Sequence, residues 1–188
     1  MSRNKFAVAR RSIWYMLRLL LMTALVFSLA FCVFVSAMYV SNIYIILTEG
    51  MELRAECVLK DTVQPDLTEY FSEAFVASDA ALYAEKYSGY TVTNFDYRIQ
   101  IEKLFVWPWS GSVRVRVTDK VVNIAGTAND ESGSADSMPV WEPAQQEVTL
   151  VKVGTRWYIH KVELLQLNPP EDALPTPDMS LLEGDATS

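Results

Sequence analysis

Residues 19–48 carry no charged side chain, and this run constrains the chain more than any other feature. It begins after Arg18 and ends before Glu49. As a helix rising about 1.5 Å per residue it is roughly 45 Å long, against a hydrocarbon core of about 30 Å. The run is therefore expected to cross a bilayer with a tilt, or to emerge from it by a turn or two. Its last part favours emergence. Ser36, Ser41 and Asn42 interrupt it there, and Tyr39 and Tyr44 suit an interfacial aromatic belt, as Trp14 and Tyr15 do at the other end.

The flanks set an expected orientation. Residues 1–18 hold Arg3, Lys5, Arg10, Arg11 and Arg18 and no acid. A basic head before an apolar run places the N-terminus in the cytoplasm and the C-terminal part outside a cell membrane, with a single pass. The bilayer is then the partner of residues 19–48. The whole chain still sums to a net charge of −7, so everything after the head is acidic. That balance argues against binding bare nucleic acid, which needs clustered positive charge.

Two processed forms compete with an uncleaved anchor. Val35-Ser36-Ala37 offers small residues for cleavage, and Cys32 follows an apolar stretch as a lipoprotein cysteine does. The run continues past both and exceeds the roughly 7–15 residues of a signal h-region. An uncleaved anchor is the expectation. Cys32 and Cys57 lie along one helical path and cannot pair with each other. Cys57 is expected to pack as a small apolar group, the alternative being a cross-linked dimer. No Asn-x-Ser/Thr acceptor occurs, in keeping with a bacterial envelope.

A length of 188 residues leaves room for one ordinary domain beyond the anchor. Residues 49–61 read as a juxtamembrane helical stalk, with Leu47, Met51, Arg54 and Val58 on one face as an oligomerisation candidate. Residues 62–167 read as an exterior α+β domain. Pro65 breaks the stalk, and Asp66 with Glu69 resembles a capping box. Leu67, Tyr70, Phe71, Ala74, Phe75, Ser78, Ala81 and Leu82 then predict one helix of about 20 residues, ended by Gly89 and lying on a sheet.

The period then changes to two. Phe95, Tyr97, Ile99 and Ile101 alternate with Asp96, Arg98, Gln100 and Glu102. Val113, Val115 and Val117 alternate with Arg114, Arg116 and Thr118, and residues 119–125 prolong that strand through a bulge. Residues 126–139 read as a long loop. A second hairpin covers 145–153 and 156–165 around Gly154-Thr155. The expected sheet is antiparallel, curved and about four strands wide. Residues 168–188 read as a disordered acidic tail, rich in Pro and without basic partners.

The last hairpin contains Val151-Lys152-Val153-Gly154-Thr155-Arg156-Trp157-Tyr158-Ile159. A Gly-containing turn followed by a basic residue, Trp and an aromatic resembles the ending of the nuclear-transport-factor-two-like superfamily. The resemblance covers roughly residues 52–166 and implies a cone of helices against a curved sheet. An anchor carrying such a domain is similar in layout to inner-membrane scaffold subunits of type IV secretion and conjugation machines. Envelope and sporulation proteins of Firmicutes share that layout. The superfamily hosts enzymes, binders and scaffolds, so the fold alone does not choose among them.

Candidate chemistry is sparse. His160 is the only histidine. By alternation Tyr158, His160 and Val162 share a face, while Asp96 and Glu102, which would have to partner His160, fall on a polar face. A rim histidine is expected, and no catalytic residue is assigned. One His and two separated Cys do not supply the three or four ligands of a metal site, and no glycine-rich phosphate loop occurs, so no cofactor is expected.

The expected contacts are Trp107 and Trp109, flanking Pro108 at the tip of the first hairpin; the alternatives are a ring that folds back to cap the sheet and a tip that touches lipid. Arg114 and Arg116 come second, forming with Arg98 a basic stripe on the wet face that meets either Glu102 and Asp96 or an acidic partner. The sequence thus predicts a non-enzymatic envelope protein whose exterior domain mediates assembly with a protein partner or with itself. The alternative is small-molecule or peptide binding in a cone pocket lined by Tyr70, Phe71, Phe75, Phe95, Tyr97 and Trp157. An enzyme of the same superfamily is the third reading.

Overall fold

A computed structural model describes residues 3–60, 66–129 and 138–170, with the backbone alone for residues 3–9 and Glu85. The expectations for Pro65, for most of the 126–139 loop and for the tail beyond residue 170 lie outside the described residues.

The first element, α1, runs Arg3–Leu59 without a break. It is long and apolar enough to cross a membrane. Side chains 10–31 are exposed throughout, among them Leu19, Leu20, Leu25, Val26, Phe27, Leu29 and Phe31. An apolar surface this continuous marks a membrane or protein contact.

The chain divides into two compact units. The first is Met1–Ile43 with Phe105–Ser110, and the second is Tyr44–Leu104 with Gly111–Ser188. The second unit is α+β. Its sheet is an open antiparallel meander in the order β1 (Tyr90–Ile101), β2 (Ser112–Ala128), β3 (Ala144–Val153) and β4 (Arg156–Leu167). Gly154 takes φ +63° at the first position of the β3–β4 turn, a conformation that glycine adopts without strain.

The α1 segment of this unit forms part of the core. Ile46, Leu47, Gly50, Met51, Ala55 and Leu59 are buried at helical spacing. A Cβ built on Gly50 would stand 3.0 Å from Tyr70 Cβ and 3.3 Å from Ile159 Cδ1, so the bare backbone permits the close approach. Residues 49–59 are therefore not a free-standing stalk. Leu47 and Met51 are spent inside the domain, Arg54 is ion-paired there, and the folded unit begins at Tyr44 rather than at residue 62.

The predicted 20-residue helix is also revised. Leu67–Glu69 is a single 3-10 turn capped by Asp66, α2 is only Glu73–Ser78, and a second 3-10 turn covers Glu85–Tyr87. Between the first turn and α2 the chain leaves the helical path because it pairs with β4. Ile159 N–H donates to the Tyr70 carbonyl at 2.8 Å, and Ser72 N–H donates to the Ile159 carbonyl at 2.9 Å. Ser72 then caps α2, its hydroxyl accepting from Phe75 N–H. Leu67, Phe71 and Phe75 keep their core role without helical continuity.

Bulges adjust the sheet. Asn123, at φ +58°, lies in a register shift of β2, as expected for residues 119–125. In β4 the register passes from Lys161 opposite Thr149 to Ile159 opposite Leu150, leaving His160 as the extra residue. Val162 consequently shares a face with Ile159 rather than with Tyr158, contrary to simple alternation.

Candidate functional site

The buried face of the sheet carries one polar cluster in an otherwise apolar layer. Val115, Val117, Asp119, Gln146, Val148, Leu150, Trp157 and Ile159 are all buried. Asp119 follows Val115 and Val117 in the inward phase of β2, and it is 1% exposed. Its carboxylate accepts from Gln146 Nε2 at 2.8 Å and from Trp141 Nε1 at 3.3 Å. Burial pushes the Asp119 carboxyl up to about 6, against the opposing pull of those hydrogen bonds and of the Arg54 charge.

Arg54 reaches this region from α1 and pairs with Asp79 through two hydrogen bonds, 2.6 and 3.1 Å long. Tyr97 extends the cluster from β1. Burial first, then the Asp119 charge, drives its hydroxyl far above the usual phenol range. Tyr97 Oη and Gln146 Oε1 are buried with no hydrogen-bond partner among the described residues. A carboxyl that titrates near neutrality beside unmatched polar atoms can store a proton or hold a small polar guest.

Sequence reasoning overlooked Asp119 and weighed Asp96 and Glu102 instead. Asp96 pairs with Arg98 on its own strand at 2.6 Å, and Glu102 accepts from Gln145 at 3.1 Å. His160 is exposed, with Nδ1 3.1 Å from Ser72 Oγ, and meets neither acid. The inward phase of Asp119 was the available signal. Among the described residues, no group of three or more His, Cys, Asp or Glu is placed to hold a metal ion.

The six aromatics expected to line a pocket divide. Phe71, Phe75 and Trp157 are buried, the two phenylalanine rings stacking at 5.0 Å. Tyr70 is half-buried and donates to Glu49 at 2.8 Å. Phe95 lies under Lys60 Nζ at 5.4 Å, and Tyr97 belongs to the polar cluster. A separate cavity of about 220 Å³ is lined by Cys57, Leu67, Val76 and Leu82, among others. It is smaller than the roughly 300–1,000 Å³ of ordinary ligand sites. Burial, then Glu56, raises the Cys57 thiol above its usual pKa, so it is a packed group rather than a poised nucleophile.

The surface residues are placed as follows. Trp107 and Trp109 are exposed in the segment joining β1 to β2, and neither ring folds back as a buried cap. Arg114 and Arg116 are exposed on the outward face of β2, where Arg114 makes a 3.8 Å contact with Glu147. Arg98 lies opposite Lys120, four residues along β2 from Arg116 and on the same outward face, so it is not directly across from either arginine. In comparisons with known proteins, no family model, no curated protein and no solved structure matches this chain.

Proposed function

We propose that this is a single-pass membrane protein, N-terminus in the cytoplasm, whose external α+β domain acts without catalysis as an assembly element of an envelope complex. The observation that carries the reading is how the sheet face is used. A binding cone leaves that face open; here Met51, Ala55, Phe71, Phe75 and Trp157 are buried and fill the core with the chain's own side chains. What remains for function is the outer surface, held beside a bilayer by an apolar helix, where restricted diffusion raises the effective concentration of partners.

The basic head supports the orientation. The order of short helices before a four-strand meander, with Arg156 and Trp157 opening β4, supports kinship with the nuclear-transport-factor-two-like superfamily. The apolar helix ahead of the domain is what favours a scaffold of the secretion, conjugation or sporulation type. Arg114 and Arg116 offer an acidic partner two exposed guanidinium groups, and β1 is a long edge strand with no further strand beside it among the described residues. A second reading, binding of a small polar ligand, draws on the Asp119 cluster and its unmatched polar atoms.

The test is photo-crosslinking in native membranes from probes placed at Arg114 and Arg116, with identification of the adducts. Assembly predicts a discrete adduct with another protein or a second copy. A chain that remains monomeric from both probes contradicts it.

A further inference from the structure

The exposed aromatic cluster between β1 and β2 is not explained by assembly through the arginine face. Phe105, Trp107 and Trp109 are 61%, 53% and 73% exposed. They form one stacked group. The indoles of Trp107 and Trp109 lie 5.0 Å apart at 20°, and Phe105 meets Trp107 edge-on at 5.0 Å and 89°. Val106, between them, is buried and roots the segment. Ser110 N–H donates to the Trp107 carbonyl at 3.0 Å, closing a turn with Pro108 in its favoured second position. The rings are thus held outward by a fixed backbone.

Phe105–Ser110 belongs to the same compact unit as Met1–Ile43. Within that helical stretch, residues 10–31 are exposed. Only Cys32, Val35, Ser36, Tyr39, Val40 and Ile43, at helical spacing, are partly or fully covered. The covered side chains of this stretch thus lie in its last three turns, in the unit that also holds the aromatic segment. Counted from Arg18, a core of about 30 Å takes up roughly 20 residues of helix. Its far boundary then falls at about residue 38, in the middle of the covered face. A segment that clusters with this stretch and leaves three rings exposed is placed to reach that boundary.

We propose that Phe105, Trp107 and Trp109 form a second membrane contact, inserting into the interfacial layer of the leaflet from which α1 emerges. The inference rests on α1 being a membrane span. Indole rings favour the headgroup level, where the apolar body is buried and the N–H stays wet. The tryptophans are then engaged by lipid, and protein contacts fall to Arg114, Arg116 and the strand edge.

The test is tryptophan quenching in the full chain, purified and reconstituted into phosphatidylcholine vesicles with brominated acyl chains. Trp14, at the opposite interface, reports on the span itself. In the W107F/W109F variant the lipid-quenchable fluorescence is expected to fall by about two thirds, three interfacial tryptophans becoming one. Bromines near the headgroup should quench more than bromines near the chain end. Equal quenching in parent and variant, with Trp14 still quenched, overturns the second contact and leaves the span intact. Loss of quenching at Trp14 as well overturns the span and the inference with it.

Discussion

Replacing Asp119 by Asn should stabilise the folded domain at neutral pH and flatten its dependence on pH. Asp119 is buried in a layer of valines, and burial raises its carboxyl from 3.8 to about 6. The folded chain therefore holds this proton more tightly than the unfolded chain. Below pH about 4 both states are protonated and the fold carries no penalty from this group. Between about 4 and 6 the unfolded state ionises first and stability falls. Above about 6 both are ionised and the full penalty remains. A shift of about two units, at 1.36 kcal/mol each, makes that penalty roughly 3 kcal/mol.

Asparagine removes the ionisation and keeps the shape. Its Oδ1 can accept from Trp141 Nε1, and a flipped Gln146 can offer the now unmatched Oε1 to the new amide N–H groups. The groups facing the site are Arg54, Trp141, Gln146 and Tyr97, and Arg54 keeps Asp79 as its partner in the variant. Urea unfolding of parent and D119N in detergent, from pH about 4 to 8, measures the effect. The parent should lose about 3 kcal/mol across the window and the variant well under 1, leaving D119N the more stable by about 1–3 kcal/mol at pH 8. Parallel profiles, or a variant weaker at every pH, refute the reasoning.

Three further outcomes follow from the packing. Gly50→Val places a β-branched side chain against Tyr70 and Ile159, and overpacking of about 1–3 kcal/mol should outweigh its helix-propensity gain in urea unfolding. Asp79→Ala leaves Arg54 charged and largely buried, costing about 3–5 kcal/mol, while the double change R54M/D79L should recover most of it by thermal melting. Cys57 should react with a thiol reagent more slowly in the folded protein than in urea at the same pH, because burial and Glu56 keep the thiol protonated.

How far the sequence revealed this architecture depends on how local each signal is. The long apolar helix was plain because an uncharged run is a property of composition alone. Both hairpins were legible because alternation and a Gly-Thr turn act over a few residues. The 67–82 stripe misled because Leu67, Phe71 and Phe75 have helical spacing, yet residues 70–72 are drawn into pairing with Ile159, a partner far away in sequence. The stalk misled for a related reason: nothing nearby in the sequence shows that Gly50 is the point where Tyr70 and Ile159 approach. The bulge at His160 reversed the facing of Val162, which alternation does not anticipate. Asp119 was legible in phase, as an acid following Val113, Val115 and Val117, but its partners Trp141 and Gln146 come from beyond a long connection.

The central claim is a single span with the domain outside, and labelling by a membrane-impermeant maleimide tests it most directly. In a C32S/C57S background, a cysteine replacing Thr155 sits in the exposed β3–β4 turn, and one replacing Ser2 sits in the basic head. On intact cells Thr155→Cys should label fully, and Ser2→Cys only after permeabilisation. Labelling of Ser2→Cys from outside, protection of Thr155→Cys, or a mature chain that has lost residue 2 with the rest of the head would contradict the account.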